Sequence, residues 1–382
     1  VAAIQAQPNL PPVGLLEHRC RPTLALMSES RTESRTIATA VVGYGFAGRC
    51  FHSYLVGLAA PALTLKGVVS SRPQARADIT DRLGVHAYSH FEEALSDDDV
   101  ELVVLATPND VHAPQAIAAL EAGKHVVTDK PMSLDGAEAD AMIAAAKASD
   151  RILTVFQNRR WDGDFLTVKQ LLADGLLGDL VYAQLAWGQY GAPGSWRGEA
   201  KRGGGKFVDL GAHMIDQALQ LVPAPLQRVY ARFTDAGLDN DVEDHAHCIL
   251  SFNNSAEVHV VTSSLARAPM PRWYVLGTEG ALVKNGLDPQ ERAMIAGNID
   301  AAAETDRDNW PRLRREVAGR PAETVFDTVR GRWRSFYENV AATIRGEAEL
   351  AVTPASVRAV MSVFDAARES ARSGQAIDVS IS

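Results

Sequence analysis

The sequence has few cysteines, no long apolar run and no excess of basic residues, and each absence excludes a class of protein. The cysteines, Cys20, Cys50 and Cys248, are far apart among 382 residues, so they predict neither a disulfide framework nor a metal site and fit a reducing cytoplasm. No segment approaches the roughly 18 apolar residues of a membrane-spanning helix. The net charge of −9 disfavours nucleic acid as a partner. We therefore expect a globular cytoplasmic protein that binds neither membrane nor nucleic acid.

The first 36 residues differ in composition from the rest of the chain. Prolines interrupt any helical pattern there, and the continuous apolar segment of a signal peptide is missing. Met27 begins a polar piece that leads into the first predicted strand. We predict that residues 1–36 are a disordered or non-native extension, with the natural start at Met27.

Residues 37–157 alternate between short apolar runs and helical patterns. Strands are predicted at 37–43, 63–70, 101–106, 125–128 and 152–156, and helices at 46–58, 113–122 and 135–149. Alternating buried strands and helices favour a doubly wound parallel sheet. We therefore predict a Rossmann domain over residues 37–157.

After residue 157 the pattern changes to successive strands, several of them with alternating apolar and polar residues. They are predicted at 180–187, 226–233, 244–252, 256–263 and 272–277. This pattern is typical of an open, mostly antiparallel sheet with one covered face. It predicts an α+β domain over 158–353 that binds substrate and mediates oligomerisation.

The end of the chain carries two helical patterns and one polar segment. Residues 298–321 are charged and aperiodic, which predicts a loop or insertion. Amphipathic helices are predicted at 326–345 and 354–373. Residues 354–382 are expected to form a helix and a strand that pack back on the core.

A glycine-rich turn lies between the first predicted strand and its helix. Gly43, Gly45 and Gly48 have the spacing G-x-G-x-x-G and enclose Phe46 and Ala47. In this position the first glycine permits the turn, the second lets a pyrophosphate approach the backbone, and the third lets helix and strand pack closely. A dinucleotide site is predicted; the alternative is a purely structural turn.

The second predicted strand ends in Ser70, Ser71 and Arg72, where an NAD-binding domain normally has an acidic residue. Hydroxyls and a guanidinium can donate hydrogen bonds to a 2′-phosphate, which a carboxylate would repel. We predict NADP as the preferred cofactor, with NAD possible. Alternatively, Arg72 points into solvent or stacks on the adenine.

Three further segments carry candidate site residues. Thr107, Pro108, Asn109 and His112 follow the third strand of the parallel sheet, and the next strand is followed by Asp129-Lys130-Pro131. The carboxyl ends of parallel strands form the ligand-binding edge in this architecture. The third segment, residues 203–216, reads GGGKFVDLGAHMID.

Together these motifs resemble the glucose–fructose oxidoreductase/inositol dehydrogenase (Gfo/Idh/MocA) family from about residue 36 to the C-terminus. The family's E-K-P is D-K-P here, and its G-G-x-x-x-D-x-G-x-H pattern is present at Gly204, Gly205, Asp209, Gly211 and His213. Residues 157–162, QNRRWD, look like the branch with NADP-dependent scyllo-inositol dehydrogenases. The resemblance implies catalytic roles for Lys130, Asp209 and His213, a small polyhydroxylated substrate, and a homodimer or homotetramer.

The residue types suit oxidation of an alcohol. A histidine such as His213 can accept the hydroxyl proton near neutral pH. Asp209 is four residues earlier, so on a helix it could orient the imidazole. Lys130 could donate a hydrogen bond to the substrate oxygen. The alternatives are that Asp209 caps the helix, that His213 is a satisfied core histidine and that Lys130 is a surface lysine.

Other candidates have less specific signals. Arg159, Trp161, Asp162, Trp196 and Arg197 offer aromatic faces and hydrogen-bonding groups for a polyol ring, although interface packing explains the aromatics nearly as well.

His112 is expected to brace the cofactor loop and Asp216 to be structural. His245 and His247 share one strand face beside Cys248, but the sequence supplies no third ligand with suitable spacing, so no metal is predicted.

These features predict an oxidoreductase that transfers hydride between a nicotinamide and a CH–OH or C=O group of a cyclitol, sugar or polyol. Two alternatives remain open at this stage. One is a dinucleotide-binding sensor that has lost the chemistry, which the intact catalytic set argues against. The other is a reductase for an imine, a dihydrodiol or another carbonyl compound.

Overall fold

The computed structural model describes residues 35–381. The predicted extension therefore lies outside the described residues, apart from its last two positions. The described part of the chain contains two sheets, and each has helices packed against it.

In the described part of the chain, six strands form a fully parallel sheet in the order β3-β2-β1-β4-β5-β6. The strands are β1 (Ile37–Val42), β2 (Leu63–Val69), β3 (His86–Tyr88), β4 (Leu102–Leu105), β5 (His125–Thr128) and β6 (Leu153–Val155). Every residue of β4 is buried, because helices cover both faces of a doubly wound sheet. This order, 3-2-1-4-5-6, is that of dinucleotide-binding Rossmann folds and confirms the predicted fold.

Helices connect the parallel strands and continue into the second half of the chain. They are α1 (Ser53–Leu58), α2 (Pro73–Asp78), α3 (Phe91–Leu95), α4 (His112–Glu121), α5 (Gly136–Ser149), α6 (Gly163–Ala173), α7 (Lys206–Leu221), α8 (Gln290–Ile295), α9 (Arg334–Ile344) and α10 (Pro354–Ser373). A π-helical turn, Ala47–His52, leads directly into α1. Among these described helices, none is long and apolar enough to cross a membrane.

The second sheet has nine strands within the described residues, in the order β14-β13-β12-β11-β7-β10-β9-β8-β15. They are β7 (Leu180–Gly188), β8 (Leu226–Thr234), β9 (His245–Phe252), β10 (Glu257–Ser263), β11 (Trp273–Gly277), β12 (Ala281–Lys284), β13 (Arg312–Val317), β14 (Arg320–Val325) and β15 (Ile377–Ile381). Only β7 and β10 pair in parallel among these neighbours. The predicted large, mostly antiparallel sheet is therefore confirmed.

Helices cover one face of this sheet. Helices α7 and α10 pack on it, α7 against the central strands and α10 against β8. Along β9, buried residues alternate with half-buried ones, as expected when helices cover one face. The last strand, β15, pairs with β8 and returns the end of the chain to the sheet edge.

The prediction of a loop over 298–321 is wrong for its second half. Strands β13 and β14 form a hairpin at the sheet edge. Their side chains are mostly exposed, so the sequence lacks the apolar alternation that marks a half-covered strand. The helix predicted from residue 326 begins only at Arg334, because buried Trp333 donates to Gln290 and Asp162 and the Val329 N–H before it donates to Thr167.

Candidate active site

Two adjoining pockets lie at the carboxyl edge of the parallel sheet. The first, the glycine-turn pocket, has a volume of about 450 Å³ and is lined by the glycine-rich turn and the ends of the neighbouring strands. The second, the inner pocket, has a volume of about 240 Å³ and extends toward α7 and the second sheet. The residues that line both pockets are Phe46, Ala47, Asp129, Lys130, Arg197 and Asp209. Ligands in the two pockets would therefore meet at these shared residues.

The glycine-rich turn has the shape that a pyrophosphate requires. Gly43 has φ of +100°, and a Cβ on it would lie 2.5 Å from the Ala106 carbonyl oxygen. A Cβ on Gly48 would lie 1.9 Å from the Gly43 carbonyl oxygen, so only glycine lets the helical turn pack this close. A Cβ on Gly45 would meet nothing within 4 Å, since that position faces the pocket. These positions fit a dinucleotide phosphate approaching the backbone.

The second strand ends at the far side of the glycine-turn pocket with Ser70, Ser71 and Arg72, which all line it. The Arg72 guanidinium donates from Nη2 to the Tyr44 carbonyl at 2.9 Å. Arg76 donates from Nη1 to the carbonyls of Ser70 and Ser71 at 2.9 and 3.0 Å. Two hydroxyls and two guanidinium groups therefore lie at this end of the pocket, and a carboxylate at the strand end does not.

Most residues predicted to bind the cofactor line the glycine-turn pocket. They are Gly43, Gly45, Phe46, Ala47, Ser70, Ser71, Arg72, Thr107, Pro108, Asn109 and Asp129. Gly48 does not line this pocket and packs against the Gly43 carbonyl instead. Buried His112 also lies behind the wall, where Nδ1 and Nε2 are each 2.9 Å from a carbonyl oxygen, of Pro131 and Thr107 respectively. His112 therefore joins two loops of the pocket, and burial lowers the pKa of its imidazole.

Lys130 lies at the junction of the two pockets and is paired with Asp209. Its Nζ donates to the Asp209 carbonyl at 2.7 Å and to Oδ1 at 2.5 Å. Arg197 Nε lies 3.6 Å from Oδ2 of the same carboxylate. Burial alone would raise the pKa of Asp209, but the charges of Lys130 and Arg197 hold it below its ordinary value of 3.8. Asp209 is therefore an ionised partner of two cations.

His213 lies in the inner pocket, and its hydrogen-bond partner is Gln157, whereas the sequence suggested Asp209. The Gln157 amide donates from Nε2 to the Ala212 carbonyl, so its Oε1 accepts from His213 Nδ1 at 3.2 Å. Nε2 of the imidazole is left with a lone pair. Burial, and the positive charges of Lys130 and Arg159 next, lower the pKa of His213 well below 6.5. The ring is therefore a neutral base at physiological pH.

Arg159 lines the inner pocket and is held there by carboxylates. Its Nη1 donates to Asp162 at 3.1 Å and its Nη2 to Glu291 at 2.7 Å. The guanidinium carbon lies 4.4 Å from the centroid of Trp187, which also lines the pocket. Buried Asp162 itself lines neither pocket and also accepts from the Trp333 indole. Asp162 therefore holds the Arg159 guanidinium without lining the pocket itself.

The other predicted substrate residues are divided between the two pockets and the interior. Arg197 lines both pockets, whereas Trp196 lines only the glycine-turn pocket, with Arg197 stacked on its ring at 4.5 Å. Trp161 lines neither and packs edge-on against Phe336. Trp161 and Asp162 therefore lie outside both pockets.

Several lining residues escaped the sequence-based prediction. In the inner pocket they include Asn158, Gln189 and Glu291, and in the glycine-turn pocket Ser89, His90 and Gln115. Ser89 and His90 follow β3, a strand too short to predict. Glu291 reaches the site from a helix 132 residues after Arg159, so only a charge-pairing argument could have suggested it. Within residues 35–381, no group of three or more histidine, cysteine or acidic residues could hold a metal ion.

Comparisons with known proteins identify both halves of the chain. Residues 37–157 match the model of an oxidoreductase family with an NAD-binding Rossmann fold. Residues 165–283 match the GFO/IDH/MocA C-terminal domain. The two matched segments correspond to the parallel sheet and to the first part of the second sheet.

Individual relatives extend over nearly the whole chain. The uncharacterized oxidoreductase YdgJ of Escherichia coli is 34% identical over 89% of this chain and 97% of its own length. The NADP(+) scyllo-inositol 2-dehydrogenase IolW of Bacillus subtilis is 30% identical over 91% of this chain and 98% of its own.

Solved structures show the same architecture. The Bacillus subtilis protein YvaA superposes with a TM-score of 0.85 at 28% identity, covering 91% of this chain and 100% of that one. An NAD-binding protein of Listeria innocua superposes with a TM-score of 0.77 at 29% identity, covering 90% and 97%. Sequence, fold and glycine turn agree, and the chain belongs to the GFO/IDH/MocA family of NAD(P)-binding oxidoreductases.

Proposed function

We propose that this oxidoreductase prefers NADP and interconverts a CH–OH and a C=O group of a cyclitol, sugar or polyol, as a scyllo-inositol dehydrogenase does. The observation that carries the proposal is that Lys130 and Asp209 line both pockets where they meet and that His213 lines the inner pocket beside them. A nicotinamide bound there would supply the hydride acceptor or donor. The residues of the chain then have to bind the alcohol and move its proton.

His213 and Lys130 have complementary roles in alcohol oxidation. Because Gln157 accepts from Nδ1, the Nε2 lone pair of His213 is free to take the hydroxyl proton. An ammonium group has three donors, and two of those on Lys130 go to Asp209. The third can donate to the substrate oxygen and stabilise negative charge as the proton leaves. In the reverse direction the same groups return the proton to the carbonyl oxygen.

The NADP preference rests on the end of the second strand. Ser70, Ser71 and Arg72 line the pocket where the adenosine ribose lies in this fold, and Arg76 is hydrogen-bonded to the same backbone. Hydroxyl and guanidinium donors suit a 2′-phosphate. The name of the relative IolW, an NADP(+) dehydrogenase, is consistent with this preference.

The charges of the inner pocket favour an uncharged substrate. Lys130 and Arg197 are paired with Asp209, and Arg159 is paired with Glu291. An anionic substrate would have to replace one of these carboxylates, whereas hydroxyl groups can add hydrogen bonds to the existing pairs. The Trp187 ring in the same pocket offers an apolar face to the C–H side of a polyol. We expect neutral polyols to react better than uronates or sugar phosphates.

The test is a substrate screen followed at the nicotinamide absorbance band with NADP and with NAD. The panel contains myo- and scyllo-inositol, neutral sugars, and the matching uronates and sugar phosphates. We expect the highest kcat/KM for a neutral cyclitol or sugar with NADP. An equal or higher kcat/KM with NAD would contradict the cofactor preference. Selective turnover of an imine or a dihydrodiol would contradict the substrate class.

We further propose that the chain forms a homodimer or homotetramer through the open face of its second sheet. Tyr182, Tyr274 and His259 form a connected cluster of rings on strands β7, β11 and β10. Partly exposed aromatic rings are common at interfaces between subunits. Sedimentation of the full chain would show a dimer or larger, and a Tyr274→Glu variant would shift it toward monomer. A wild-type monomer at micromolar concentration would contradict this proposal.

A further inference from the structure

The proposed function leaves one buried histidine beside the site unexplained. His52 ends the π-helical turn that follows the glycine-rich turn, and its side chain is fully buried. Its ring lies 4.6 Å from that of Phe156, and its two nitrogens face Tyr337 and Asp129. An imidazole buried to this degree requires partners for both nitrogens.

The contacts of His52 determine where its proton lies. Nδ1 is 2.6 Å from the Tyr337 hydroxyl, and Nε2 is 3.5 Å from Asp129 Oδ2. Among the described residues, Nε2 has no partner in a formed hydrogen bond, and the Asp129 carboxylate is the acceptor that it faces. A neutral ring protonated only on Nδ1 would turn a lone pair toward a carboxylate. The arrangement is favourable when the tyrosine donates to Nδ1 and Nε2–H faces Asp129.

The protonation states of the neighbours agree with this orientation. Burial raises the pKa of Asp129, but the contact with His52 and the charge of Lys130 outweigh it and lower the pKa to about 2. Burial, and then the charge of Asp129, raise the pKa of the Tyr337 hydroxyl well above 10. Asp129 is therefore an acceptor and Tyr337 keeps its proton to donate.

Asp129 is the residue through which this contact reaches the site. It follows β5, and its Oδ1 accepts from the Lys130 backbone N–H at 2.8 Å. With Oδ2 facing His52, both oxygens are held in fixed directions. The residue lines both pockets, so its remaining lone pairs are available to a ligand at their junction. The nicotinamide half of a dinucleotide carries suitable donors, a carboxamide and ribose hydroxyls.

We propose that His52, set by Tyr337, is a positioning residue that orients the Asp129 carboxylate toward a hydrogen-bond donor on the nicotinamide half of the dinucleotide. This role rests on the proposed function only in requiring that the dinucleotide occupies the glycine-turn pocket. His52 touches neither the substrate nor the transferred hydride and acts through Asp129. His52, Tyr337 and Asp129 lie far apart in the sequence, and their contacts would connect all three to one hydrogen bond with the cofactor.

The test is a double-mutant cycle read by direct binding of NADPH to the purified full chain, without substrate. Nicotinamide fluorescence is titrated for wild type, His52→Leu, His52→Gln, Asp129→Asn and the double variant His52→Leu/Asp129→Asn. We expect His52→Leu to weaken binding about tenfold, the order of effect for losing a polar contact with a charged group. His52→Gln keeps an N–H donor and should stay within about threefold of wild type. The double variant should bind like Asp129→Asn alone.

A purely structural role would give a different pattern. Leucine preserves the apolar volume, so wild-type affinity in His52→Leu would overturn the proposal. Additive losses in the double variant, or a His52→Gln variant as weak as His52→Leu, would overturn it too. If His52→Leu does not fold, Tyr337→Phe removes only the hydroxyl, and its effect should likewise vanish when Asp129 is asparagine.

The cycle is independent of the substrate assignment. A wild-type chain that binds NADPH but turns over no polyol would contradict the proposed function and leave the cycle interpretable. Normal polyol turnover with His52→Leu binding NADPH at wild-type affinity would overturn the His52 role alone.

Discussion

The two pockets of the site are built from different parts of the chain. The glycine-turn pocket is formed largely by main chain, by a turn whose glycines lie close to backbone oxygens and by the ends of parallel strands. The inner pocket is formed by side chains that are paired with one another, Lys130 with Asp209 and Arg159 with Glu291. One pocket therefore depends on backbone conformation and the other on charge balance.

This difference predicts how each pocket responds to mutation. In a main-chain pocket, an added methyl group acts through steric overlap and changes stability or cofactor binding. In a side-chain pocket, removing one member of an ion pair leaves its partner uncompensated, which costs stability where the pair is buried and also changes the charge that a ligand meets. Measurements of stability, cofactor binding and turnover in variants of each pocket separate steric effects from charge effects.

The largest effect is expected for the side chains that move protons. Lys130→Ala and His213→Ala should each lower kcat for the best polyol by about 10²–10⁴, the usual contribution of a general acid or base. NADPH affinity, measured by nicotinamide fluorescence, should change by no more than about threefold, because the glycine turn is untouched. The control is Lys147→Ala, which removes an exposed lysine from α5. Near-wild-type kcat in both variants would refute the catalytic assignment.

Two glycines of one turn should respond oppositely to the same methyl group. In Gly48→Ala the new Cβ would overlap the Gly43 carbonyl oxygen, so the chain should lose about 3 kcal/mol of unfolding free energy, the cost of overpacking. In Gly45→Ala the Cβ meets no protein atom but occupies the pocket, so the Tm should be preserved while NADPH binding weakens tenfold or more.

Thermal unfolding and NADPH titration of the two variants side by side check this contrast. A Gly45→Ala variant that loses stability without losing affinity would show that the turn is only structural, the alternative left open by the sequence. A Gly48→Ala variant as stable as wild type would show that the turn can relax away from β1.

A smaller effect is expected at the end of the second strand. Arg72→Ala should lower kcat/KM for NADP about 10- to 100-fold, because a charge-assisted hydrogen bond to the 2′-phosphate is lost. The kcat/KM for NAD should change by no more than about threefold, since NAD lacks that phosphate. Arg82→Ala, which removes an exposed guanidinium from the same region, is the matched control. An equal loss with both cofactors would mean that Arg72 supports the fold or the adenine and does not read the phosphate.

The difference between a pocket formed by main chain and a pocket formed by paired side chains also explains which parts of the site could be predicted from the sequence. The glycine turn and the end of β2 are local, because the residues that line the pocket there lie within a few positions of one another in the sequence. Lys130 and His213 were found because each belongs to a short motif. Their partners were harder to find, because Gln157 lies 56 residues from His213 in the chain, and only packing brings the two together.

The parts of the fold that were predicted wrongly have a similar physical cause. The edge hairpin β13–β14 and the short strand β3 bury too little apolar surface to produce a periodic pattern. Trp161 and Asp162 carry the residue types of a sugar site, but they line neither pocket: Trp161 is partly buried against Phe336, and buried Asp162 accepts from Arg159. Composition identifies what a side chain could bind, whereas burial decides whether it faces a ligand.

The pH dependence of alcohol oxidation should show whether burial and the charges of the inner pocket keep His213 neutral. The base must be neutral to accept a proton, and burial with nearby positive charges lowers the pKa of His213 well below 6.5. On acidification, kcat/KM should therefore stay constant through pH 6.5 and fall only at lower pH. Asp129 and Asp209, whose pKa values are also lowered, stay ionised near pH 6.5, so these two carboxylates do not account for a fall that begins there. A pH profile of kcat/KM with its acid midpoint at or above 6.5 would show that His213 is solvated in the working enzyme or that another group takes the proton.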